Sequence, residues 1–142
     1  MEKATVYQLL QLAGLAQLAL VAGSLAIPKV LKWGTELAKV QLLINQMFWT
    51  YAAYILIINL CFGLISLFAA GDLLNGSRLA MLITGFIAVY WISRVLIQFF
   101  YFDRSSFPVG KLNKVVEIIL VSLFVSLSIV YSLAFYINFQ QV

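Results

Sequence analysis

LAMLITGFIAVYWISRVLIQFFYF, residues 79–102, decides how the rest of the chain is read. It holds one charged side chain, Arg94, in a run otherwise made of aliphatic, aromatic and a few small polar residues. A bilayer core of about 30 Å needs roughly 20 apolar residues in a helix rising about 1.5 Å per residue. This run meets that length. Three others match it, at about 6–27 (stopping before Pro28), about 47–70 and about 115–139. Backbone polar groups in lipid must find partners, so spanning segments are helices, and the dyad alternation of a closed barrel is missing here. Short connections favour neighbours that run in opposite directions. The expected fold is an all-α integral membrane protein, one domain over residues 1–142, built as a four-transmembrane-helix up-down antiparallel bundle.

Composition points the same way. The chain is 64% hydrophobic and 10% charged, with a mean hydropathy of +1.04, whereas a soluble domain carries roughly 45–50% apolar and about 25% charged residues. A chain of 142 residues cannot hide that excess internally, because a small domain leaves much of itself at the surface. Histidine is absent, which excludes imidazole ligation of a metal or haem and histidine acid–base catalysis. The single cysteine, Cys61, forms no internal disulfide and reads as a small apolar residue. The net charge of +4 comes from basic residues dispersed around the spans. Membrane lipids with anionic headgroups at the cytoplasmic face are therefore the expected partner, not nucleic acid.

Sidedness follows from the lysines and arginines. Lys29, Lys32 and Lys39 fall in the first connection and Arg104, Lys111 and Lys114 in the third, against Lys3 and Arg78 on the opposite side. Six against two places residues 28–46 and 103–114 in the cytoplasm and both termini outside, in an inner membrane of bacterial type. Ser24-Leu25-Ala26 has the form of a signal-peptide cleavage site, but Glu2 offsets Lys3, and Gln8, Gln11 and Gln17 interrupt the apolar run. Retention as a span is expected. In the first connection Val30, Trp33, Leu37, Val40 and Ile44 recur at helical spacing, which predicts one amphipathic helix over about 29–44 lying at the interface. Asn75-Gly76 signals a turn, Ser77 is placed to cap the third span, and residues 105–110 form another break.

The candidate site gathers on the cytoplasmic side. At 100° per residue, Trp91, Arg94, Gln98 and Tyr101 share one face of the third span. Arg94 lies about two turns from its end, where an arginine costs a few kcal/mol unless paired or reaching water. Glu117 enters the fourth span at similar depth, so the two are expected to pair. Asn45 and Gln46, with Asp103 and Arg104, lie at the same level and would complete a polar pocket. Arg94 has three readings: a structural ion pair, a site for a phosphate or carboxylate, or a contact with a partner subunit's carboxylate. Its planar donors suit each. On the first span Ala16, Ala19, Gly23 and Ala26 form a small-residue stripe, expected to pack against another helix of the bundle or, failing that, another subunit. Serines 122, 126, 128 and 132 do not share one face, so no serine-lined ion path is expected.

No carboxylate pair at catalytic spacing, phosphate loop or nucleophile motif is present, and an enzyme is not expected. Length and four-helix layout are similar to the small multidrug-resistance exporters, which work as dimers. Those proteins carry an essential glutamate in the first helix, where this chain has Gln8, Gln11 and Gln17, so the similarity ends at architecture. The expected function is a non-catalytic small membrane protein: an accessory, structural or lipid-binding subunit of a membrane assembly. The alternative is a small homo-oligomeric transporter or channel with a cytoplasm-facing pocket around Arg94 and Glu117. Partners left open are other membrane subunits or further copies of the chain. The cofactor is unknown, and a quinone, pigment or lipid held by apolar packing remains compatible with the residues.

Overall fold

The computed structural model describes residues 3–101 and 110–142. Among these the fold is all-helical: α1 Lys3–Ser24, α2 Ile27–Val30, α3 Trp33–Leu37, α4 Leu42–Phe68, a 3-10 turn Asp72–Leu74, α5 Arg78–Phe100 and α6 Lys111–Gln141. Four helical stretches are long and apolar enough to cross a membrane: Lys3–Val30, Leu42–Phe68, Arg78–Phe100 and Lys111–Gln141. They match the four segments read from hydropathy, with extensions at the ends. Asp103, Arg104, the end of the third expected span and the break up to residue 109 lie outside the described residues.

The connections explain themselves locally. Ser77 caps α5 by accepting the Ala80 amide at 3.0 Å, and the Asn75 side chain accepts the Ser77 amide at 2.9 Å. Gly76 takes the left-handed conformation, φ 75°, that the turn requires. It also faces Gln141 so closely that a Cβ there would collide with the Gln141 amide. The first connection departs from the expected single helix over 29–44. It holds two short turns, α2 and α3, separated by Lys32 in the left-handed conformation, φ 54°, and residues 42–44 already belong to α4. A segment of that length is marginal as a helix without tertiary packing, and Gly34 and Thr35 are weak helix formers. What packing exists is aromatic: Trp33 sets its edge against Phe48 at 4.8 Å and Trp49 at 5.6 Å.

The helices pack as two close pairs, α1 with α4 and α5 with α6, joined chiefly where α1 meets α6. Phe62 on α4 reaches across to Phe86 and Tyr90 on α5 through edge-on ring contacts. The backbones of α1 and α4 approach closely at Gly14 and Gly63. A Cβ at Gly14 would stand 2.7 Å from the Gly63 carbonyl oxygen and from the Leu67 amide nitrogen, so only glycine admits this crossing. The stripe singled out in the sequence lies elsewhere. Ala16 is half-buried, while Ala19, Gly23 and Ala26 are exposed, and a Cβ on Gly23 would meet nothing within 4 Å. Within the chain, α1 is packed through Val6, Leu10, Ala13, Gly14 and Gln17 instead.

Burial is uneven along the bundle. On α1 the buried residues stop at Gln17, on α4 they begin at Asn59, and on α6 they begin at Phe124. One end, which carries Lys3, the 72–77 turn and Gln141, is closed. The other end, which carries Ser24, Leu42, Phe100 and Lys111, is open, and among the described residues only α5 keeps a buried side chain there, Gln98.

Gly14→Ala should lower the stability of the purified protein by about 1–3 kcal/mol, the usual cost of overpacking. Gly23→Ala should change it by no more than about 0.5 kcal/mol. Thermal melting of both variants in the same detergent distinguishes them; equal melting temperatures would mean that the Gly14–Gly63 crossing does not exist.

Candidate functional site

At mid-bundle one buried amide joins all four long helices. Gln17 on α1 is fully buried. Its Nε2 donates to the Tyr131 hydroxyl on α6 at 2.6 Å and to the Ala13 carbonyl at 3.2 Å. Its Oε1 accepts the Trp91 indole N–H from α5 at 3.2 Å. The Tyr131 hydroxyl also shares a hydrogen bond with Ser66 on α4. Every polar atom of Gln17 is thereby satisfied, which matters because a buried amide without partners costs roughly 1–3 kcal/mol. Trp91 is held from the other side by stacking on Phe124, with centroids 5.5 Å apart and planes 21° apart.

A second knot closes the end that carries the 72–77 turn. Asn138 on α6, fully buried, donates through Nδ2 to the Leu73 carbonyl at 2.6 Å and to Thr84 on α5 at 3.4 Å. Its Oδ1 accepts the Gly76 amide at 3.1 Å. Between the two knots the interior is apolar: Ile87 on α5 and Ala134 on α6 are fully buried. Lone hydroxyls elsewhere serve their own backbone. Ser126 donates to Ser122 and Ser128 to Phe124, both i−4 carbonyls.

Arg94 lies one turn beyond Trp91, half-buried, with its guanidinium carbon 4.9 Å from the Phe124 ring centroid. That is cation–π range. Glu117 is half-buried on α6, seven residues before Phe124 and hence on the same side of the helix. Arg94, Tyr101 and Glu117 each have at least one interaction partner. Gln98 is buried, whereas Tyr101 is largely exposed. Asn45 is committed elsewhere, its Nδ2 donating to the Leu37 carbonyl at 3.2 Å where it ties down the end of α3. Gln46 is exposed, and its carbonyl accepts from Thr50. Of the residues proposed for one pocket, Trp91 and Arg94 thus meet at Phe124, Gln98 lines the same helix, and Asn45 and Gln46 serve local structure. Among the described residues no cluster of three metal-ligating side chains occurs.

The Gln17 knot was not legible as a unit. Gln17 and Trp91 each stood out in the sequence, but on separate helices. The usable signal was chemical: an amide deep in an apolar helix must have partners.

Gln17→Leu should destabilise the protein by about 1–3 kcal/mol by stranding the Trp91 indole N–H and removing the donor to the Tyr131 hydroxyl, and Tyr131→Phe by about 0.5–1.5 kcal/mol. The double variant should reveal a coupling of roughly 0.5–3 kcal/mol in detergent melting; strict additivity would mean the two side chains do not touch. No protein-family model matches this chain, and no curated protein or solved structure matches it either.

Proposed function

We propose that the chain is a lipid-embedded, up-down antiparallel four-helix bundle serving as a non-catalytic accessory subunit of a membrane assembly. Its open end faces the cytoplasm and receives a lipid or a helix of a partner. The register of contacts supports the antiparallel arrangement: Tyr7 approaches Gly71 while Gly14 meets Gly63, and Gly85 meets Phe135 while Trp91 stacks on Phe124. Exposed apolar side chains along the helices support embedding, among them Leu12, Ile57, Phe86 and Ile118, each more than half exposed; water around such a belt is unfavourable. The positive-inside bias supports the orientation, with Lys29, Lys32, Lys39, Lys111 and Lys114 flanking the open end.

The observation that carries this reading is the contrast between the two ends. The apolar layer around Ile87 and Ala134 separates the polar knots, so a standing ion path finds no support. A transporter that alternates its access would have to break the Gln17 and Asn138 knots in each cycle. The open end, by contrast, leaves the inner faces of α1, α4 and α6 without mutual cover. Pairing of Arg94 with Glu117 fits there, since both lie toward that end and on the Phe124 side of the α5–α6 pair. A phosphate headgroup or a partner's carboxylate is the other acceptor that a guanidinium in this position suits.

Purification in mild detergent, followed by native mass spectrometry and an absorbance spectrum, tests the proposal. A stoichiometric subunit, lipid or pigment retained by the protein is the expected result. A protein that comes alone and moves a cationic compound across vesicle membranes would replace the accessory reading with the transporter. For the site, Arg94→Ala, Glu117→Ala and the double variant should show a coupling of roughly 0.5–3 kcal/mol, and additive losses would sever the pair.

A further inference from the structure

Two glutamines near the start of α1 take no part in either knot. Gln8 is exposed and Gln11 half-buried, and neither side chain makes a hydrogen bond among the described residues. Together with Lys3, Tyr7, Gly71 and Leu74 they line a groove of about 470 Å³ at the closed end of the bundle. Among the described residues its lining carries one cation and no acid; Asp72, on the adjoining turn, is not part of it, and Glu2 lies outside the described residues. Gly71 lies beside the Tyr7 ring, where a Cβ would make an ordinary contact at 3.6 Å.

The placement of these groups matches one kind of molecule. Gln8 and Gln11 lie about 7.5 and about 12 Å along the helix from Lys3, which in the embedding proposed above runs from the headgroup level toward the acyl chains. Amides at that depth without partners are costly. Lys3, Tyr7 and the two amides offer donors in a row. An acceptor-rich ligand with negative charge at the outer end and carbonyls further in would satisfy them. We propose that this groove holds the phosphate and glycerol-ester region of an anionic phospholipid, with the phosphate at Lys3 and the ester carbonyls facing Gln8 and Gln11. This site lies at the end of the bundle opposite the basic connections and Arg94, so it is separate from the lipid or partner contact proposed for the open end. It rests on the lipid embedding alone.

The test uses the full chain purified in mild detergent and reconstituted in phosphatidylcholine nanodiscs, with and without phosphatidylglycerol. The wild type should retain phosphatidylglycerol in native mass spectrometry and melt higher in its presence, and inorganic phosphate should reproduce neither effect. Lys3→Gln should cut the preference for phosphatidylglycerol over phosphatidylcholine roughly tenfold, the size of one charge-assisted contact. The Gln8→Leu/Gln11→Leu double variant should melt higher than wild type in phosphatidylcholine, because the amides are gone, yet gain nothing from phosphatidylglycerol. The site is overturned if the wild type shows no lipid preference, if the leucine variant binds phosphatidylglycerol like wild type, or if phosphate alone gives the same shift. A protein that still requires detergent but shows no preference loses only this site; one that stays folded without detergent loses the embedding as well.

Discussion

A glutamine side chain in an apolar interior has two donors and two acceptor positions to satisfy, and water is not available to do it. In this protein that constraint is met by the Ala13 carbonyl of the same helix, a phenol from α6 and an indole from α5, and the phenol in turn bonds a serine on α4. Apolar packing by itself is nearly indifferent to rotation of one helix against its neighbour when lipid is as apolar as the core. Directional hydrogen bonds are not. The Gln17 knot fixes the rotation of all four helices at once, and the Gly14–Gly63 crossing sets how deeply α1 and α4 approach. Asn138 then anchors the turn between α4 and α5 to the last helix.

The rest of the architecture is arranged around that knot. On one side of it the interior is closed; on the other the helices give up mutual burial, and the charged residues Arg94 and Glu117 appear. A half-buried guanidinium over an aromatic ring keeps part of its hydration and part of its electrostatic stabilisation. The bundle thus has one closely packed end and one end where apolar and polar groups lack cover from the other helices.

Much of the fold was legible in the sequence, because hydropathy over twenty residues reports directly on the solvent a helix can tolerate. The turn at Asn75-Gly76 and the Ser77 cap were legible for the same local reason. What could not be read was the pairing of faces. The small-residue stripe from Ala16 to Ala26 has the right spacing for helix contact, but spacing does not say which face is used, and most of the stripe lies exposed. The true close approach has one glycine on each helix and no repeat to announce it. Likewise the first connection has an amphipathic period, yet its length and its weak helix formers leave two short turns. In the candidate site, Trp91 and Arg94 both meet Phe124, but Trp91 points its N–H to Gln17 and Asn45 is spent on α3. Hydrogen-bond partners far apart in the chain are a property of the assembled bundle.

The exchange rate of the Trp91 indole proton probes the knot most directly. The chain has three tryptophans, so the indole N–H signals of the detergent-solubilised protein can be assigned by single substitution and followed in heavy water. A Trp91 N–H donated to Gln17 inside a water-excluded core should exchange far more slowly than those of half-buried Trp33 and exposed Trp49. If all three exchange at the same rate, the indole is open to solvent and the four helices are not held together in this way.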